Sequence, residues 1–276
     1  MRVLILTCLL TLAGCSANQP ATNRPDTRPA QPAQRAFRPS EHGFRFVNHF
    51  AGSPLPASLR DPGNPIGALL AGPVGRNIPA TFGLCGGMSL TAADHYLAGV
   101  PMPMDAMAPT PGTPLYEHLY RRQVESLGDG GVMVAAFWTW MNLPDESVEG
   151  ESTATLTALA LPGILGRLDR GEVVPLGLVH VRARANARAP GSRIGPLWSN
   201  HQVVAFGYER LMDGAIDLCI YDPNYPGDDR VVVRLRPTAG GAGLIGERVT
   251  GTGRTTRVRG VFPMPYTPGS PFTQPR

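Results

Sequence analysis

The sequence predicts an α+β fold. Apolar side chains recur at helical spacing through residues 85–169, and short apolar runs separated by turn residues fill 173–264. Neither an internal repeat nor a glycine-rich dinucleotide loop points to another architecture.

The first helix starts at Cys85, in CGGMSLTAADHYLAG, where Met88, Ala92, Tyr96 and Leu97 form an apolar face and Gly99 with Pro101 supplies the stop. Residues 100–114, rich in Pro and Met, read as a loop. A second helix is expected over 115–127, amphipathic around Leu115, Leu119 and Val124. The run 132–141 (VMVAAFWTWM) is apolar enough for the core in either conformation. A third helix spans 153–169, with an interruption or kink expected at Pro162 and closure at Gly171. Residues 173–181 are almost continuously apolar, as a buried strand is. After a polar loop, 182–200, three strands follow at 202–209, 215–221 and 230–236. The Gly/Thr-rich 240–256 reads as a long hairpin or flap, and 257–264 as a last strand.

The start of the chain has a different character. Arg2 and the amino terminus precede an apolar run, 3–13, which is shorter than the about 20 residues a spanning helix needs and has the length of a signal-peptide core. It ends in Leu12-Ala13-Gly14-Cys15, which resembles the lipobox of bacterial lipoproteins. The resemblance implies cleavage before Cys15, lipid on its thiol, export, and attachment to a membrane. Residues 16–40 are rich in proline and poor in large apolar side chains, so a mobile tether is expected there. The expected organisation is a leader over 1–14, lipidated Cys15 and tether over 15–40, and one domain over 41–276.

Charge narrows the function. The 25 basic residues face 21 acids, a formal net charge of +4, and every basic residue is arginine. Loose groups at Arg182, Arg184, Arg188 and Arg193 and at Arg254, Arg257 and Arg259 read as solvated faces. No basic stripe with interleaved aromatics is present, so nucleic acid is not an expected partner. The acidic 145–151 reads as an exposed loop, with calcium binding there left open. No CxxC or HExxH spacing occurs, and no metal or cofactor is expected. Export would place Cys85 and Cys219 where disulfides form. Strand alternation turns Cys219 away from the face that Asp222 continues, so both are expected to be free.

Three positions combine into chemistry. A thiol at the start of a helix, as at Cys85, lies near unpaired N–H groups that favour thiolate and help receive an oxyanion. Gly86 and Gly87 behind it would let a substrate backbone come close. His201 starts a strand, in NHQVVAFGY, and IYDPN ends the next strand at Asp222 and Asn224. A hairpin of those strands would put Asp222 or Asn224 beside the imidazole, to orient it toward the thiolate. His42, His49, His95, His118 and His180 have no such context and read as structural. Trp198 could shield the pair or line a cleft.

These segments, with the passage LDRGEVVPLGLV, occur in the order found in papain-like cysteine peptidases. Across 82–225 the chain resembles that superfamily, most nearly the branch around bacterial double-glycine peptidases. The resemblance implies a helical half carrying Cys85 as nucleophile, packed on an antiparallel sheet half carrying His201 as general base and acid and Asp222 as orienting group. It implies a peptide or protein substrate and no cofactor. Such enzymes place an oxyanion glutamine about six residues before the cysteine; this chain has Pro79 there, with Asn77 as the nearest upstream amide. Three functions stay open: hydrolysis of amide bonds, acyl transfer or deamidation on the same scaffold, and a binding lipoprotein with a degraded site.

Overall fold

A computed structural model of the chain describes residues 36–51, 81–147, 150–183 and 195–274. The leader, Cys15, most of the tether, Asn77, Pro79 and the arginines at 184, 188 and 193 lie outside the described residues.

The packed body begins at Phe37, before the expected boundary at 41. The Phe37 ring is 3% exposed and rests on Tyr96 and Phe206. Helix α1 (Pro39–His42) follows, and Ser40 donates to Asp229 through both its N–H and its hydroxyl. The last residues of the expected tether are therefore fixed, because one phenylalanine among prolines fits an aromatic cluster assembled from distant segments. Strands β1 (Phe50–Ala51) and β2 (Thr81–Phe82) pair antiparallel and lead into the helices.

Among the described residues, four further helices follow in the first half. Helix α2 (Cys85–Ala98) ends at Gly99, whose φ of 64° closes the last turn as the sequence predicts. Helix α3 (Pro114–Ser126) begins on a Thr113 cap with Pro114 in its first turn. The ambiguous apolar run is helix α4 (Val132–Asn142), which places Phe137 and Met141 on Val179 and Phe262. Helix α5 (Thr153–Asp169) opens with a reciprocal Ser152–Thr155 capping box. It runs unbroken through Pro162, contrary to the expected interruption. Pro162 lies on the exposed side, where the carbonyl it deprives of a helical bond can be hydrated.

The second half is one antiparallel sheet of seven strands in the order β8-β7-β6-β5-β4-β3-β9. These are β3 (Val174–Val179), β4 (His201–Arg210), β5 (Ile216–Tyr221), β6 (Val232–Pro237), β7 (Leu244–Val249), β8 (Thr255–Val258) and β9 (Gly260–Pro263). The segment read as a hairpin or flap is the β7–β8 hairpin, extending the sheet past β6. The sheet curls so that its two edge strands, β8 and β9, follow one another in the chain with only Arg259 between them. The Arg259 N–H donates to the Val179 carbonyl, extending the β3–β9 ladder.

Strand alternation sorts the core. Leu176, Leu178, Val203, Ala205, Leu218 and Ile220 pack against Leu161, Ile164 and Leu165 of α5. Val204 and Tyr221 face the other way, into a cluster with Phe44, Leu84, Met88 and Leu119. These two clusters, with the one that α4 makes on Val179 and Phe262, hold the helices to the sheet.

The acidic loop differs from expectation. Asp145 is buried and binds Arg182, Arg257 and Arg259, of which Arg182 and Arg259 are themselves buried. Arg259 also donates to the carbonyls of Val181 and Leu143. Two arginine groups that look like solvated faces therefore supply an internal ion cluster. They are far apart in sequence, and only the curl of the sheet joins them.

Candidate active site

Cys85 is the first residue of α2, so its backbone N–H has no partner within the helix. The thiol is partly exposed and free, as is that of Cys219. The helix start is fixed from outside: the Leu84 N–H donates to Asn48 Oδ1 at 2.7 Å.

Gly86 and Gly87 serve packing rather than substrate approach. Both are buried, and a Cβ on Gly86 would meet the side chains of Ser126 and Gln202. A Cβ on Gly87 would collide with the Leu119 carbonyl oxygen of α3. The Gly87 N–H donates to Gln123 Oε1 at 3.1 Å. The two glycines let α2 lie close against α3 and β4.

His201 opens β4 and is 6% exposed. Cys85 is its neighbour, close enough to act on the charge of the imidazole. Its Nε2 donates to Asp222 Oδ1 at 2.6 Å, which leaves Nδ1 for the sulfur. Asp222 follows β5 and is fully enclosed. Its Oδ1 also accepts the Asn224 N–H at 2.9 Å, and its Oδ2 accepts from Arg248 Nη1 at 2.9 Å. The hairpin of β4 and β5 thus brings His201 and Asp222 together, with Val204 opposite Tyr221 and a bulge between Ala205 and Gly207.

Asn224 has a different place from Asp222. Because Asn48 Oδ1 is occupied by the Leu84 N–H, Asn48 Nδ2 is the atom that donates to Asn224 Oδ1, at 3.2 Å. Asn224 therefore turns Nδ2 toward His201 Nε2 at 3.3 Å, one donor facing another. The imidazole proton goes to Asp222, and Asn224 links Asn48 to the site.

Charge follows from this packing. Burial pulls the His201 imidazole down, but the Asp222 carboxylate, its hydrogen bond and Cys85 outweigh burial and hold it above the ordinary histidine value. Burial pushes Asp222 up, yet His201, Arg248 and the Asn224 N–H hold it below the ordinary carboxylate range. His180, at the end of β3, has its ring 6.5 Å from that of His201. Burial, opposed by a hydrogen bond with the Arg257 carbonyl, brings it down to about 4. It is neutral at neutral pH.

Two participants are not visible in the sequence pattern. Asn48 lies 37 residues before Cys85 in an irregular segment, and Arg248 lies on β7. No motif marks either, although Asn48 fixes the helix start by accepting the Leu84 N–H. Trp198 is partly buried in a short 3-10 turn three residues before His201. Among the described residues no cluster of three or more His, Cys, Asp or Glu side chains is placed to hold a metal, and no helix is long and apolar enough to cross a membrane. No protein-family model, curated protein or solved structure matches the chain.

Proposed function

We propose that the protein is a thiol hydrolase of amide bonds, with Cys85 as nucleophile, His201 as general base and acid, and Asp222 as the group that orients His201. The observation that carries this reading is the continuous chain of contacts from Cys85 through His201 to Asp222, with a partly exposed sulfur at a helix start. A peptide or protein is the proposed substrate class, and a papain-like arrangement is the proposed fold relationship.

In the reaction, His201 takes the thiol proton and Sγ attacks the amide carbonyl. The Cys85 N–H faces the oxygen as charge develops, and Asn48, by accepting the Leu84 N–H, fixes the helix start that presents it. His201 then gives the proton to the leaving nitrogen, so the C–N bond breaks and a thioester remains on Cys85. Water enters, His201 removes its proton, and the acid is released as the thiol is restored. Asp222 stays ionised throughout and holds the imidazole proton on Nε2. Lipid on Cys15 would hold this site at a membrane on the exported side.

The test is trapping by a peptide carrying an electrophile in place of the scissile amide, followed by peptide mapping. One residue, Cys85, should be modified, with no trapping in Cys85→Ala or His201→Ala. Trapping no faster than that of Cys219 would favour a binding protein instead. For any amide substrate found this way, Asp222→Asn should lower kcat/KM by about a hundredfold or more. Activity should persist above the ordinary histidine range and fall as pH rises through the raised His201 value, because the proton donated to the leaving amine is then lost.

A further inference from the structure

The Asp222 carboxylate is shared between two cations, and the second is not part of a nucleophile–base–acid chain. Arg248 is 8% exposed and approaches Asp222 from β7, two strands away from β5 across the sheet. Its Nη1 donates to Asp222 Oδ2 at 2.9 Å. Its Nη2 lies 3.3 Å from the Tyr225 hydroxyl and 3.5 Å from Thr256 Oγ1, and the guanidinium stacks on the Tyr225 ring at 4.9 Å. The hairpin carrying it is pinned at its tip, where the Gly251 N–H donates to Asp228 Oδ2 at 2.8 Å. A buried guanidinium costs several kcal/mol to desolvate. Here one carboxylate oxygen, two hydroxyls and an aromatic face are assembled around it.

The electrostatic consequence depends on which charge the sulfur senses. With Cys85 ionised and His201 protonated, the imidazolium is the positive charge beside the thiolate. A lone Asp222 carboxylate on the far side of the ring would cancel part of that charge as seen from the sulfur. Arg248 neutralises Asp222 and leaves the imidazolium to act on Cys85 at close to full strength. Asp222 can then orient the ring without weakening the ion pair it orients.

We infer that Arg248 is a positioning residue that balances the charge of Asp222, so that His201 stabilises the Cys85 thiolate. This rests on the proposed reading of Cys85 and His201. The groups that face the pair are Cys85 from α2, His180 from the end of β3, Tyr221 and Asp222 from the end of β5, Tyr225 from the following turn, and Arg248 from β7. His180 is a second imidazole beside the pair, so the measurement is repeated in a His180→Asn background.

The test is the pH dependence of iodoacetamide alkylation of the Cys85 peptide, measured by mass spectrometry on the native full-length chain with the Cys219 peptide as internal reference. Arg248→Gln keeps a donor for Asp222 Oδ2 but removes the charge. It should move the acid limb upward by about half to one pH unit, a three- to tenfold slower reaction at a fixed pH on the limb. Arg248→Lys restores the charge and should return the limb to within about 0.3 unit of the native position. A native-like limb in folded Arg248→Gln, while the native chain alkylates fast at Cys85, overturns the inference and leaves the hydrolase reading standing. An equal displacement in folded Arg248→Lys also overturns it, even if Arg248→Gln does not fold. Alkylation of native Cys85 no faster than Cys219 overturns both.

Discussion

At the scale of single residues, burial and partners decide which histidines are chemical and which structural. His201 has a carboxylate against one nitrogen and is held up; His118 has two arginines near it and is held down. Burial, followed by Arg121 and Arg122, brings His118 down to about 4. Its folded value lies below the ordinary value near 6.5, so the unfolded chain binds more protons between the two. Its contribution to stability is complete above pH 6.5, declines as pH falls from 6.5 to about 4, and is flat below. Urea unfolding of His118→Leu across that interval should show a shallower acid loss than the native chain, and an unchanged slope would remove His118 as the cause. His118 and His180 read as structural in the sequence because neither sits near a nucleophile or a strand end of the right kind. Burial accounts for His118. For His180 the sequence lacks the information that β3 and β4 place its ring beside that of His201.

At the scale of elements, the periodicities are the legible part. The helix start at Cys85, the stop at Gly99 and the strand start at His201 follow from local chemistry, and the structure places all three within a residue of expectation. The double glycine shows the limit of local reading. Its position is visible in the sequence, but its purpose depends on α3, which passes beneath it. The Gly87 Cβ direction is blocked by backbone, whereas that of Gly86 is blocked by the ends of two side chains that can move. Gly87→Ala should therefore cost about 3 kcal/mol or more, and Gly86→Ala less, measured by denaturant unfolding. Equal small effects would mean that α2 and α3 are not in close contact at Gly87.

At the scale of the whole molecule, the contacts hardest to read from sequence are those that close the fold. Asp145 meets arginines from 182, 257 and 259, and Asp94 of α2 meets Arg122 of α3 and the C-terminal segment. The Tyr266 hydroxyl and the Gly269 N–H both donate to Asp94 Oδ1, and the Phe272 N–H donates to His95 Nε2. The chain after β9 thus straps the sheet half back onto the helix that carries Cys85. Asp94→Ala removes the buried carboxylate from Arg122, leaving it the half-exposed Glu125 and the Thr267 carbonyl, and should cost about 3 kcal/mol in urea unfolding. A cost under about 1 kcal/mol would place the strap outside the cooperative unit. Arg248 and Asn48 escape sequence reading for the same reason as the strap: their partners are set by sheet curl and chain return, which no local spacing encodes.

All three scales converge on one pair of atoms, the sulfur of Cys85 and the ring nitrogen of His201 that faces it. Cys219 is the natural control, because burial, then Asp217 and Glu209, pushes its thiol up. The most direct measurement is the rate of iodoacetamide alkylation of each cysteine at pH 6 in the native chain and in His201→Ala, read by peptide mapping without reduction. Cys85 should react at least about a hundredfold faster than Cys219, and the difference should collapse in His201→Ala. Equal slow labelling of the two thiols, or a linked Cys85–Cys219 peptide, would contradict it.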